Sequence, residues 1–150
     1  MQINTIVFPT DFSTCSDAGL DYAAALARDT GATLLIVHVE EHPVAYGVGE
    51  MYYGALEPDR KSLQAMLEKV VPTNPSVKFE HHLLSGEPAD AITSFARERN
   101  ANLIVMSTHG RTGVMRLLMG SIAESVIRGA ECPVLTLREP QATPAKQSGD

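Results

Sequence analysis

Short apolar runs and amphipathic stretches alternate along this chain. Residues 3–8 are apolar with β-branched members (Ile3, Ile6, Val7), stopped by Pro9, which predicts a strand. Ser13, a capping residue type, precedes Leu20, Ala23, Ala24 and Ala27 at the spacing of one helix face, and Gly31 follows as a stop. Residues 34–39 are apolar almost without a break, the pattern of a strand buried on both faces. Residues 40–58, with prolines, glycines and tyrosines in no clear period, read as a long loop. A helix follows with Leu63, Met66, Leu67 and Val70 on one face, then a less apolar third strand, 77–84, suited to a sheet edge. Gly86-Glu87-Pro88 turns into a helix whose Pro88, Ile92, Phe95 and Ala96 share a face, with Pro at its preferred first turn. Strands at 102–106 and 134–137 enclose a last helix carrying Ala123, Val126, Ile127 and Ala130 on one side. Beyond Arg138 the chain turns to Pro, Gln, Ala and Ser, so residues 1–138 are expected to form the domain and 139–150 a disordered tail.

Strict βα alternation predicts an α/β, doubly wound parallel sheet with right-handed crossovers and helices on both faces. Ligands of such sheets bind beyond the carboxyl ends of the strands, where strand order reverses. With the first and fourth strands neighbours at that reversal, Pro9, Thr10 and Asp11 face the loop from Ser107 to Ser121 across one crevice.

Composition narrows the partners. The chain of 150 residues fits one domain, and 44% apolar with 20% charged residues is ordinary for a globular protein. Aromatic residues are 5% with no Trp, so stacking platforms for single-stranded nucleic acid are scarce. A formal charge of −6 argues against nucleic acid and membrane surfaces, both anionic. Cys15 and Cys132 belong to no CxxC or Cys/His pattern and read as two reduced thiols. The first residues lack the basic and long apolar regions of a signal peptide, and no apolar run reaches membrane-spanning length, so a cytoplasmic protein is expected.

The stretch from Ser107 to Ser121 carries the strongest chemical signal: a strand exit, Gly110, Gly113 and Gly120 in a loop, and a helix that opens on Gly-Ser. Glycine lets backbone approach an anion closely, and a helix N-terminus presents unpaired N–H groups with a favourable dipole. Arg111 sits where a phosphate would want a cation. Ser121-Ile122-Ala123-Glu124 equally fits a capping box, so Ser121 has two readings, helix cap and phosphate contact. His109 likewise reads as a phosphate donor or as a histidine packed at the loop base. Asp11 is a turn or cap residue on one reading and an acceptor for ribose hydroxyls on the other. There is no P-loop signature, and Gly47-Val48-Gly49 lacks the third glycine of a dinucleotide fingerprint, Tyr52 standing there. His38, within an apolar run, reads as a satisfied interior residue. His81 and His82 are adjacent, so on a strand they point to opposite faces and share no metal. No metal site is expected beyond Mg2+ carried by bound phosphates, and no nucleophile–base pair stands out.

Together these residues resemble the universal stress protein family over roughly residues 2 to 138. Ile6-Val7-Phe8-Pro9-Thr10-Asp11-Phe12-Ser13, His38-Val39, Gly86-Glu87-Pro88, the loop ending in Gly120-Ser121, and Cys132-Pro133-Val134-Leu135 carry the likeness. Gly110, nine intervening residues, Gly120 and Ser121 match the second half of the Gly-x2-Gly-x9-Gly-Ser/Thr signature of the family's ATP-binding branch; Ser107 replaces its first glycine. The resemblance implies a Rossmann-like five-stranded sheet in order 3-2-1-4-5 flanked by four helices. It also implies an ATP or AMP site with Asp11 at the ribose and Val39 backbone at the adenine. Gly110, Arg111, Gly120, Ser121 and Ile122 would surround the phosphates, with Thr10, Met106, Ser107, His109 and Gly113 close by. A homodimer through the last strand, Val134–Leu137, is implied as well. The functional expectation is a stress-response regulator that binds an adenine nucleotide, with at most slow hydrolysis. A slow ATPase or nucleotidyl-transferring enzyme using the same pocket is the alternative, and a nucleotide-independent interaction protein is a third.

Overall fold

The structure is a computed structural model and describes residues 1–41, 59–108 and 119–138. Five strands, β1 (Thr5–Pro9), β2 (Thr33–Glu40), β3 (Lys78–Ser85), β4 (Leu103–Ser107) and β5 (Val134–Leu137), form one sheet in the order β3-β2-β1-β4-β5. All four pairings are parallel. Four helices connect them among the described residues: α1 (Thr14–Thr30), α2 (Arg60–Glu68), α3 (Pro88–Glu98) and α4 (Ser121–Gly129). The expected doubly wound α/β fold and its strand order are therefore present, with strand limits displaced by one or two residues from those read in the sequence. Of the expected loop at 40–58, Glu40 instead ends β2 and residues 42–58 lie outside the described residues, as do the middle of the 107–121 loop and the tail at 139–150.

Period-two alternation in the central strands divides the core into two layers. Ile6, Phe8, Leu34, Ile36 and Val105 pack beneath Leu20, Ala23, Ala24 and Ala27 of α1 and Leu67 of α2. Val7, Leu35, Val37, Ile104 and Met106 pack beneath Ile92, Phe95 and Ala96 of α3 and Ala123 and Val126 of α4. Because both faces are covered, β1, β2 and β4 are buried nearly throughout, which is why they read as unbroken apolar runs. β3, at one edge, is largely exposed to intermediate.

Local signals set the helix limits. Ser13 caps α1, its side chain accepting from the N–H of Ser16, and Gly31 closes the helix in the left-handed region at φ 75°. Pro88 opens α3, while the Glu87 carboxylate caps it by accepting from the N–H groups of Ala89 and Asp90. Two expectations are corrected. Ser121 is not a cap: Gly120 holds that position, and α4 has no side-chain cap bond. Ile127, expected on the buried side of α4, is 42% exposed, because the helix rests on Ala123 and Val126 and Ile127 falls on the flank of that narrow contact.

Candidate functional site

Parallel strands deliver their carboxyl ends to one side of the sheet, and the order β3-β2-β1-β4-β5 reverses direction between β1 and β4. A cavity of about 370 Å³ opens there. Pro9, Thr10 and Asp11 at the end of β1 line it, as do Val39 at the end of β2 and Met106 and Ser107 at the end of β4. Gly120, Ser121 and Ile122 at the start of α4 complete the set. Every expected site residue that falls among the described ones is therefore on this wall. His109, Gly110, Arg111 and Gly113 lie outside the described residues.

The β1–α1 corner is heavily cross-linked. The Thr10 N–H donates to the Val37 carbonyl at 2.8 Å, and the Thr10 Oγ1 accepts from the Phe12 N–H at 3.1 Å. Phe12 takes φ 64°, the left-handed region that costs a non-glycine residue conformational energy, and its ring lies 4.3 Å from that of His38. His38 donates from Nδ1 to the Thr10 carbonyl at 2.7 Å, which assigns the ring proton to that nitrogen. Among the described residues its buried Nε2 has no hydrogen-bond partner, so the expectation of a satisfied interior histidine holds there for one nitrogen only. Asp11 Oδ1 accepts from the Ser13 N–H at 3.0 Å and from the Ser16 hydroxyl at 2.8 Å.

Opposite this corner, β4 hands the chain toward α4. Gly120 donates its N–H to the Thr108 carbonyl at 2.7 Å, and a Cβ at Gly120 would stand 2.8 Å from that same oxygen. Only glycine permits so close a return of the chain. Because α4 begins on a glycine, no side chain occupies the position from which its first N–H groups would be capped. Those groups and the helix dipole form a site of positive potential on the cavity wall. The Ser107 hydroxyl donates to the Cys15 carbonyl at 3.0 Å.

Sequence reasoning missed several residues on the wall: Ser16, Glu41, Pro88, Ile92, Thr108 and Ala123. For Ser16 a signal was available, since Asp11, Ser13 and Ser16 repeat polar oxygens at a spacing of two and three across a strand-to-helix corner. The histidine pair behaves as its alternation requires. His81 Nε2 bonds the Val70 carbonyl beside α2, and His82 lies against Phe95 of α3. Among the described residues no three His, Cys, Asp or Glu side chains cluster as a metal site, and no disulfide joins Cys15 and Cys132. No helix among them is long and apolar enough to cross a membrane.

Comparison with known proteins agrees with this fold. The model of the universal stress protein family matches residues 2–138. A universal stress protein of Methanocaldococcus jannaschii is 37% identical over 142 residues, covering 91% of this chain and 82% of its own. The universal stress protein UspA from Lactobacillus plantarum superposes with a TM-score of 0.72 at 20% identity, over 92% of this chain and 99% of its own. A universal stress protein from Archaeoglobus fulgidus, solved in complex with dAMP, superposes with a TM-score of 0.63 at 26% identity, over 91% and 98%. The chain belongs to the universal stress protein family.

Proposed function

We propose that this protein binds an adenine nucleotide, ATP or AMP, in the cavity between β1 and β4 and acts as a regulator through its nucleotide-loaded state. One observation carries the reading: the cavity joins a fixed carboxylate, Asp11, to the uncapped N-terminus of α4 across the reversal of the sheet. The donor set fits the group. Val39, Met106, Ile92 and Pro88 supply an apolar wall for a base, and Asp11 accepts from sugar hydroxyls. The N–H groups that open α4 meet a phosphate. A volume of about 370 Å³ falls within the range of roughly 300–1,000 Å³ usual for small-molecule sites. The dAMP held by the Archaeoglobus fulgidus relative supports the same ligand class. Gly110, Arg111, Gly113 and His109 belong to this reading as the remainder of the phosphate loop, with Mg2+ entering only as a companion of the phosphates. The protein works as a homodimer joined through β5, and its role is binding and release, with at most slow hydrolysis.

Thermal unfolding with and without ATP or AMP tests the reading. Nucleotide at one hundred times its dissociation constant adds about 2.7 kcal/mol of stability. Asp11→Ala and Ser121→Ala reduce that gain. A melting curve that neither ATP nor AMP moves at millimolar concentration refutes it. Turnover measured on the same two variants separates binding from catalysis, since hydrolysis that both leave unchanged does not occur in this cavity.

A further inference from the structure

Asp11 discriminates best between sugars when its carboxylate is held in one orientation, and Ser16 contributes to that hold. Ser16, 4% exposed in the first turn of α1, has a single hydroxyl proton and gives it to Asp11 Oδ1 at 2.8 Å. The same hydroxyl oxygen therefore serves as acceptor for the Asp11 N–H at 3.4 Å and for the Ser13 hydroxyl at 3.4 Å. Ser16 thus grips Asp11 at its backbone and at its side chain.

The turn that carries Ser16 is itself strutted from the neighbouring strand. Ser107, at the end of β4, donates its hydroxyl to the carbonyl of Cys15, the residue preceding Ser16. Room for that hydroxyl exists because residue 19 is glycine: a Cβ there would lie 3.2 Å from Ser107 Oγ and 3.2 Å from the Phe8 ring. Ser107 stands where the nucleotide-binding signature has its first glycine. In this chain the position has become a brace for the corner.

We propose that Ser16, braced by Ser107, is a positioning residue that sets the preference of the cavity for ribose over deoxyribose. The proposal rests on the nucleotide reading above and deepens it. A carboxylate fixed before binding accepts a sugar hydroxyl without first losing rotamer freedom, and a sugar lacking that hydroxyl gains nothing from the fixation. Loosening the corner therefore costs ribonucleotides selectively.

Calorimetric titration of the full chain with AMP, 2′-deoxy-AMP and 3′-deoxy-AMP tests this on the wild type, Ser16→Ala and Ser107→Ala, with melting curves to verify folding. Ser16→Ala is expected to weaken AMP by up to about tenfold, because the Asp11 side chain must then be immobilised on binding. The analogue lacking the hydroxyl that Asp11 grips should weaken by less than about twofold, so the affinity ratio between the two sugars collapses. Ser107→Ala moves that ratio the same way by a smaller factor. Equal losses for all three ligands, or an unchanged AMP affinity, overturn the proposal. So does a wild type that binds all three equally, while the nucleotide reading survives that result. A wild type that binds none of them defeats both. If Ser16→Ala does not fold, the ratio in Ser107→Ala decides alone.

Discussion

At Gly120 the constraint is steric, since its backbone lies in an ordinary helix-cap conformation and yet a Cβ would meet the Thr108 carbonyl at 2.8 Å. Neither partner is a flexible side-chain end, so Gly120→Ala forces backbone apart and is expected to cost about 1–3 kcal/mol. It also moves the start of α4 off the cavity wall and so weakens nucleotide binding. Gly129, the last residue of the same helix, is the control: its nearest contact for a Cβ is a Thr93 methyl at 3.5 Å. Gly129→Ala therefore gains about 0.5–1 kcal/mol from helix propensity and leaves binding alone. Denaturant unfolding and nucleotide titration on both variants check the contrast; equal effects from the two would remove the steric argument. Gly120 was legible in the sequence as a glycine at a strand-to-helix junction. Ser16 left a fainter signal, the polar oxygens at 11, 13 and 16, and the direction of the Ser107 hydroxyl left none, because it depends on which backbone carbonyl the folded corner brings within reach.

At the scale of elements, the strands were legible because β1, β2 and β4 are buried on both faces and so carry no polar alternation to confuse them with surface segments. The start of α4 misled because Ser-x-x-Glu fits the capping template, while the chain actually enters the helix one residue earlier on Gly120. Ile127 misled because periodicity names a face but not its width. What periodicity could not name at all are the ties between elements. Glu80 of β3 accepts from Arg99, just beyond α3, at 2.9 Å and pairs with His82 at 2.8 Å. The hydrogen bond from Arg99, then that from His82, lowers the Glu80 pKa below the ordinary carboxylate value. A lowered pKa stabilises the folded state at pH values above the unfolded carboxylate's, about 4.3, and that contribution fades as pH falls through the lower folded value. Glu80 is 45% exposed, so solvent screening holds the contribution to about 0.5 kcal/mol or less. Glu80→Gln should therefore be slightly less stable than wild type at pH 7, with the difference shrinking as pH falls below the ordinary carboxylate value. Urea midpoints followed across that range measure this; a difference that persists at the acid end would assign the loss to packing instead of charge.

For the whole molecule, the unsettled surface is the β5 edge, where the sheet stops after four residues of intermediate burial. Strand polarity there follows from two bonds. The Ile104 N–H donates to the Pro133 carbonyl at 3.0 Å, and the Thr108 N–H donates to the Leu137 carbonyl at 3.0 Å. Carbonyls at 133 and 137 thus face β4, and since backbone groups alternate sides along a strand, the N–H groups of Val134 and Thr136 point outward. An outward row of donors on a short apolar edge is a template for a second strand. The proposed homodimer uses that row, and proline can remove one donor from it without touching the β4 ladder. Thr136→Pro is accordingly expected to convert dimer to monomer while keeping the nucleotide-dependent rise in melting temperature, because the cavity lies on the far side of β4 at the β1 reversal. Sedimentation of both proteins at matched concentration reads the change directly. A wild type that sediments as a monomer refutes the homodimer, whereas a variant that stays dimeric places the interface elsewhere, with the exposed Ile127 flank of α4 the next surface to alter.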